Sequence, residues 1–210
     1  PVSQEFNLNI LPVNDAPQLV AITEIFMFED DPTDIILNAN DVDNDLELIF
    51  TAEVLLNEEL IQTEIINNIL NIIPFDNAYG NATIQIQVSD GQDISLPQEI
   101  NVIVENVNDL PFINNITYPE SILEDTDEIL IYFTPVDIDG DELTASFYNI
   151  NSDLLPDENI FITPEIESSD VERILSLIPI TDGNGETSII IEVSDNQSPP
   201  VNVEIPINII

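Results

Sequence analysis

Apolar residues occupy every second position in several short segments of the chain, such as 84–88, 100–104 and 189–193. A period of two is typical of strands with one buried face. Asn, Asp, Pro and Gly, which favour turns, separate these segments, and no stretch keeps the period of an amphipathic helix. The pattern therefore predicts an all-β chain of antiparallel strands.

The sequence contains two copies of one pattern. Residues 4–17, from Gln-Glu-Phe-Asn to Val-Asn-Asp-Ala-Pro, resemble residues 98–111. Further landmarks recur in the same order: Glu29-Asp30 and Glu124-Asp125, Asp41–Asp45 and Asp137–Asp141, Gly80 and Gly185, Val88-Ser89-Asp90 and Val193-Ser194-Asp195. The offset grows from 96 residues (Asp41 to Asp137) to 105 (Gly80 to Gly185), so the second copy contains an insertion of about nine residues. We place it in the acidic stretch 151–170 and expect a solvated loop there.

Each copy has about 100 residues, enough for about seven strands, which predicts two tandem antiparallel Greek-key β-sandwiches. The predicted repeats are residues 15–106 and 107–210. Phe6, Leu8 and Ile10 alternate like the last strand of the first copy, residues 100–104. We therefore interpret residues 1–14 as the last strand, 1–13, and the linker of a preceding, truncated repeat.

The charge balance excludes many kinds of chemistry. The chain has 42 Asp and Glu, one Lys or Arg, no His and no Cys, and a net charge of −41. It therefore cannot build a Ser-His-Asp or Cys-His nucleophile, a lysine Schiff base or a Cys/His zinc site. Nucleic acid and anionic membranes are excluded as partners by charge repulsion, and no apolar run is long enough to insert in a membrane. Oxygen ligands remain, and they predict calcium as the bound ion.

Two Asp-x-Asp-x-Asp motifs, residues 41–45 and 137–141, place carboxylates at alternate positions. An EF-hand would require Gly at the sixth position and Glu at the twelfth. The first motif has Leu46 and Ala52 there, and the second has Glu142 and Tyr148. The EF-hand interpretation fails in both copies, but such loops can still present oxygens to a hard cation if other segments complete the coordination.

Taken together, these motifs resemble the bacterial cadherin-like tandem repeats of large surface and secreted proteins. The resemblance covers almost the whole chain. It is carried by the Glu near the start of each copy, the Asp-x-Asp loop, a Pro-x-x-Asn/Asp-x-x-Gly turn, Val-Ser-Asp and the Val-Asn-Asp-x-Pro linker. The turns are 74–80 and 179–185. The family implies cadherin-like sandwiches with calcium between successive repeats.

The resemblance implies three sets of calcium ligands. The internal junction would use Glu29, Asp76, Asn77, Asn106, Asn108, Asp109, Asp137, Asp139 and Asp195. The N-terminal junction would use Asn14, Asp15, Asp41, Asp43 and Asp90. The C-terminal end would offer Glu124 and Asp182. We expect the two terminal sites to be weak or empty, since each would lack the neighbouring repeat.

The resemblance predicts a calcium-binding, extracellular structural module of a surface or adhesion protein, stiffened by calcium between its repeats. Its partners would be calcium, neighbouring repeats and a cell-surface protein or glycan. A calcium-dependent carbohydrate-binding module is the alternative, although the chain has no Trp and only Tyr79, Tyr118 and Tyr148 as aromatic candidates. A glycosidase is disfavoured, because two short sandwiches predict no cleft. In addition, bound calcium would lower the pKa of a carboxyl group, whereas a general acid needs a raised pKa.

Overall fold

The computed structural model describes residues 3–5, 7–43 and 47–210. The chain separates into two compact units, residues 1–107 (unit 1) and 108–210 (unit 2). Nearly every regular element is a β-strand, which confirms the predicted all-β fold. Within the described residues, no helix has the length and apolar character required to cross a bilayer.

Unit 1 contains nine strands among its described residues. They are β1 (Gln18–Leu19), β2 (Ile25–Phe28), β3 (Thr33–Ile36), β4 (Ala39–Asn40), β5 (Ile49–Leu56), β6 (Ile61–Ile66), β7 (Ile69–Pro74), β8 (Gly80–Ser89) and β9 (Gln98–Glu105). One sheet has the order β2-β9-β8-β5 and a second has the order β3-β7-β6, while β1 pairs with β4. Strands β2 and β9 run parallel, and the other pairs are antiparallel.

The core of unit 1 lies between its two larger sheets. Ile84, Ile86 and Val88, on β8, are at most 1% exposed, and they pack with Leu70 and Ile72 of β7 in the opposite sheet. The alternation read from the sequence is therefore a burial pattern, because successive side chains of a strand point to opposite faces.

The segment at 3–13 does not share this arrangement. Its described residues form no strand, and Leu8 and Ile10 are exposed, while Phe6 lies outside the described residues. Its assignment to a preceding repeat, and the repeat boundaries, stay predictions.

Unit 2 contains eight strands and one short 3-10 helix at 157–159. The strands are β10 (Phe112–Thr117), β11 (Ile129–Val136), β12 (Glu142–Asn149), β13 (Ile160–Thr163), β14 (Ile166–Ser168), β15 (Arg173–Leu177), β16 (Gly185–Ser194) and β17 (Val201–Ile209). The two sheets have the orders β10-β11-β15-β13 and β14-β12-β16-β17. Ile131, Phe133 and Leu175 of one sheet pack with Ile189 and Ile191 of the other in a single buried core.

The extra residues of the second copy form structure, so the expected solvated loop at 151–170 is wrong in part. In unit 1, β6 and β7 are joined by two residues, Asn67 and Asn68, which lie between the paired Ile66 and Ile69. In unit 2 the chain leaves β13, forms β14 against β12 in the opposite sheet, and returns as β15. Loop composition alone did not indicate this change of sheet.

Candidate metal centre

Unit 2 brings together five of the residues predicted for the internal junction. The side-chain amide of Asn108 donates to Asp195 Oδ2 at 2.9 Å. The Asp109 N–H donates to Asp139 Oδ2 at 2.7 Å, and the Asp139 N–H donates to Asp137 Oδ1 at 2.9 Å. These bonds connect the start of unit 2 with the loop after β11 and the loop after β16.

Unit 1 contains the same network at the matching residues. The side-chain amide of Asn14 donates to Asp90 Oδ2 at 3.0 Å. The Asp15 N–H donates to Asp43 Oδ2 at 2.7 Å, and the Asp43 N–H donates to Asp41 Oδ1 at 2.8 Å. Each bond has the same donor and acceptor atoms as its counterpart, so the sequence repeat is also a repeat of side-chain geometry.

The turn after β16 fixes the Asp195 carboxylate. Its Oδ1 accepts the N–H groups of Gln197 and Ser198, both at 2.9 Å, and its Oδ2 accepts the Ser198 hydroxyl at 2.6 Å. In unit 1, Asp90 Oδ1 likewise accepts two backbone N–H groups from the residues two and three positions later, each at 2.7 Å. An Asp that binds its own turn in this way has a fixed orientation.

Carboxylate and amide oxygens gather in unit 2 without enough donors. Asp137, Asp139 and Asp141 each offer an oxygen, and these atoms lie within 4.8 Å of one another. Asp137 is 4% exposed. Its Oδ2 and Asn108 Oδ1 are buried and have no hydrogen-bond partner. A buried oxygen without a donor is costly, and a cation would remove that cost.

Burial and hydrogen bonding act in opposite directions on two carboxylates of the cluster. Burial raises the pKa of Asp137 above its ordinary value, and the N–H groups of Asp141 and Asp139 offset this only in part. Burial also opposes ionisation of Asp195, but hydrogen bonds from Asn108, Ser198 and the turn backbone outweigh it and hold the pKa of Asp195 well below its usual range.

The one cation of the sequence, Arg173, does not balance this cluster. Its guanidinium is fully buried and donates to the backbone carbonyls of Glu165 and Leu143, both at 2.7 Å, and of Glu167 at 3.1 Å. Burial lowers the pKa of Arg173, which the charge of Glu167 partly offsets. The hydrogen bonds of Arg173 therefore go to backbone carbonyls and not to the carboxylates around Asp137.

Four further residues were predicted as ligands of the internal junction. Glu29 is buried at the end of β2, and its Oε1 accepts the Val107 N–H at 2.8 Å. Asp76 and Asn77 are exposed in the turn after β7, and Asn106 is exposed after β9. All four belong to unit 1.

At the C-terminal set, the structure places a different residue against Asp182. The Asp182 N–H donates to Asp125 Oδ1 at 3.0 Å, whereas Glu124 is exposed and its N–H donates to the Ile210 carbonyl at 2.8 Å. The Glu-Asp doublet at 124–125 was a sequence signal for Asp125, just as the third carboxylate of the Asp-x-Asp-x-Asp motif was a signal for Asp141.

The two networks differ in how their linker Asn is satisfied. In unit 1, Asn14 Oδ1 accepts from the side chain of Gln92 at 3.0 Å, and Asn14 also donates to Asp93 at 2.8 Å. In unit 2 the matching Gln197 donates to Asp141 Oδ2 at 2.5 Å, so Asn108 Oδ1 is left for another partner. Both clusters consist only of oxygen ligands, which suit a hard divalent cation.

Comparisons with known proteins agree with this fold. Residues 14–103 match the family model of a bacterial Ig domain. The chain is similar to the solved structure of extracellular cadherin domains 3–6 of protocadherin gamma B2, with a TM-score of 0.52 and 14% identity over 92% of this chain and 47% of that chain. Domains 1–5 of that protein give a TM-score of 0.51 and 15% identity over 94% and 40%.

The chain spans less than half the length of either protocadherin structure. No curated protein sequence matches it. At these identities the likeness shows the fold: tandem cadherin- and Ig-like β-sandwich repeats.

Proposed function

We propose that this chain, a pair of cadherin- and Ig-like β-sandwich repeats, is a calcium-binding structural module of an extracellular surface or adhesion protein. One observation carries the proposal: both units build the same hydrogen-bonded cluster of carboxylates and amides, and Arg173, the only Lys or Arg in the chain, binds backbone carbonyls instead. Repeated clusters of this kind are expected where multivalent cations complete the structure.

Calcium fits the ligand set better than the other common metals. The clusters contain only carboxylate, amide and backbone oxygens, and the sequence has no His or Cys for zinc or copper,. Calcium takes six to eight oxygens in flexible geometry, whereas magnesium demands a near-ideal octahedron. Extracellular modules bind calcium at ~10⁻⁴–10⁻³ M, which suits the outside of a cell.

The proposal extends to the linker. By the cadherin resemblance, Glu29, Asp76, Asn77 and Asn106 of unit 1 would share calcium with the Asp137 cluster of unit 2. Calcium would then restrict the angle between repeats, and removing it would release the joint. Such a module would act as a stiff spacer in a longer surface protein.

Bacterial Ig-like and cadherin-like domains are typical of extracellular or surface proteins, and such repeats are typically non-catalytic. We accordingly propose that this chain interacts with protein partners and neighbouring repeats and does not act on a substrate. The depressed pKa of Asp195 also supports an ionised ligand in preference to a general acid,.

Calcium titration of the full chain tests the proposal. Isothermal titration calorimetry on EDTA-treated protein should give saturable calcium binding, and ~2 mM calcium should raise the melting temperature. Asp139→Asn with Asp195→Asn should remove the sites of unit 2, and Asp43→Asn with Asp90→Asn those of unit 1. Glu99→Gln and Glu204→Gln, exposed strand carboxylates, serve as charge-matched controls. Absence of binding, or equal loss in the controls, would contradict the assignment.

Small-angle scattering tests the linker separately. With calcium the distribution of interatomic distances should become longer and narrower than with chelator. Unchanged scattering despite saturable binding would limit the role of calcium to the individual units.

A second candidate, calcium-dependent carbohydrate binding, is favoured by one observation. Tyr79 is 54% exposed and lines a surface pocket together with Asn57, Asn77 and Asn81. An exposed ring beside amides is a common way to hold a sugar. Binding on a glycan array that needs calcium and is lost in Tyr79→Ala would support this candidate, and a blank array would remove it.

A further inference from the structure

The acidic loop 137–141 joins β11 to β12, and one segment, residues 165–170, contacts both of its ends. This segment contains β14 and belongs to the extra residues of the second copy. It lies outside the ligand set that the sequence predicts.

At the first end of the loop, Ser169 binds the backbone of Asp137 twice. The Ser169 hydroxyl accepts the Asp137 N–H at 2.7 Å and donates to the Asp137 carbonyl at 3.0 Å. The next residue continues the contact, since the Asp170 N–H donates to the Pro135 carbonyl at 2.9 Å. The backbone of Asp137 is therefore held from both its donor and its acceptor side.

At the second end, β14 pairs with the start of β12, with Ser168 opposite Glu142 and Ile166 opposite Thr144. Arg173 strengthens this pairing, because one guanidinium donates to Leu143 on β12 and to Glu165 and Glu167 on the segment. The segment is thus fixed to the body of unit 2 by a charge-assisted set of hydrogen bonds.

The result is a carboxylate held in a defined place. Asp137 Oδ1 accepts the N–H groups of Asp139 at 2.9 Å and Asp141 at 3.4 Å, while Oδ2 is buried without a donor. An ionised carboxylate that is 4% exposed and lacks a donor on one oxygen is suited to a cation,.

We propose that Ser169, held by the Arg173-anchored strand β14, is a positioning residue that fixes Asp137 for a divalent cation in unit 2. This inference rests on the calcium binding proposed above. Residues that orient a metal ligand commonly change metal affinity 10–100-fold when they are replaced.

Unit 1 provides the internal comparison. Its β6 and β7 are joined by Asn67 and Asn68 alone, so the described part of unit 1 has no counterpart of β14. Asp41, the counterpart of Asp137, is partly exposed as a residue, although its Oδ2 is likewise buried without a hydrogen-bond partner. The positioning segment is therefore specific to unit 2, and its cluster should bind calcium more tightly than that of unit 1.

The test uses calcium calorimetry on the full chain carrying Asp43→Asn and Asp90→Asn, so that unit 2 alone reports. In this background, Ser169→Ala should bind calcium about 10-fold more weakly. Ser169→Thr keeps the hydroxyl and should restore the affinity. Ser168→Ala, one residue earlier on β14, is the matched control. Circular dichroism and melting in EDTA identify any variant that does not fold.

The outcomes separate the two proposals. Weakened binding in Ser169→Ala, with normal binding in Ser169→Thr and Ser168→Ala, supports the positioning role. Normal binding in folded Ser169→Ala, together with lost binding in Asp137→Asn, overturns the positioning role and leaves the calcium site intact. If unit 2 binds no calcium even with Ser168 and Ser169 unchanged, the positioning role and the calcium site of unit 2 are both overturned. If Ser169→Ala does not fold, equal binding by Ser169→Thr and Ser169→Cys overturns the role, since Cys supplies only a weak donor and acceptor.

Discussion

Single residues in unit 2 show how one cluster can both stabilise and strain a fold. Asp195 is buried, but four donated hydrogen bonds from Asn108, Gln197 and Ser198 favour its ionised form. Asp137 is also buried, but its two N–H donors bind the same oxygen. Without a cation, ionised Asp195 therefore stabilises unit 2, whereas ionised Asp137 destabilises it.

The two carboxylates should respond in opposite ways to neutralisation. In EDTA at neutral pH, Asp137→Asn should raise the melting temperature of unit 2, because it removes a buried charge without a counterion. Asp195→Asn should lower it, by roughly 1–3 kcal/mol of unfolding free energy, since donors lose an ionised acceptor. Thermal melts measure both, and calcium should stabilise neither variant as it stabilises the unchanged chain. Changes of the same sign in EDTA would refute this account.

The pH dependence of these effects follows from the directions of the pKa shifts. The unfolded pKa of Asp is about 3.9. Because folding lowers the pKa of Asp195, its contribution to stability is present above about pH 4 and is lost as the pH falls through the folded pKa. For Asp137 the folded pKa is raised, so its destabilising effect appears only as the pH rises through the window above about 4.

Melts in EDTA at several pH values between about 2.5 and 7 check this linkage. The cost of Asp195→Asn should shrink toward the acid end, and the gain from Asp137→Asn should grow toward neutral pH. If the difference in stability between each variant and the unchanged chain does not vary with pH over this range, ionisation is not the cause.

At the scale of elements, β14 is the main departure of unit 2 from unit 1. It crosses from one sheet to the edge of the other and is held there by Arg173, whose three hydrogen bonds all go to backbone carbonyls. The only cation of a strongly acidic chain is thus used to attach an added strand.

Replacing Arg173 should release that strand. Arg173→Met keeps much of the apolar stem but removes the guanidinium donor of three carbonyls, of which only Glu165 is known to keep another donor, the Ala145 N–H. Unit 2 should therefore lose about 2 kcal/mol of unfolding free energy. Hydrogen exchange should accelerate at residues 165–170 in particular. Glu172→Gln, an exposed neighbour, is the control. Unchanged exchange in Arg173→Met would mean that β14 is held by its pairing with β12 alone.

At the scale of the whole molecule, a net charge of −41 opposes the compact state,. Mobile cations screen that repulsion, with a Debye length of about 10 Å at 0.1 M salt and 3 Å at 1 M. Specifically bound calcium would act at the clusters, at much lower concentration.

Stability should therefore show two separate cation responses. In EDTA, the melting temperature should rise steadily between about 0.05 and 1 M NaCl. A few millimolar calcium should exceed the effect of equal magnesium, because calcium accepts oxygen ligands in flexible geometry whereas magnesium demands a near-ideal octahedron. Tetramethylammonium chloride at matched ionic strength controls for general screening. Equal responses to calcium and magnesium would indicate screening only.

Local pattern was sufficient for most of the fold. The period of two at 84–88 and 189–193 predicted buried strands. The first, third and fifth residues of each segment are at most 1% exposed, because the faces of a strand alternate whatever the partner strand. The matching of the two copies also indicated which acidic residues are equivalent. It thereby selected the positions, such as Asn108 and Asp195, that the structure joins across 87 residues.

Only the tertiary structure decided which oxygens are buried and which elements hold them. The charge of Asp137 gives no sign that one of its oxygens is buried without a donor, since that depends on the segments that pack around it. Residues 164–172 have the composition of a loop, but three of them, Ile166–Ser168, form a strand because they pair with the edge of β12. Periodicity within a segment is set by its own backbone, whereas burial and edge pairing are set by segments distant in sequence, so they become visible only in the folded chain.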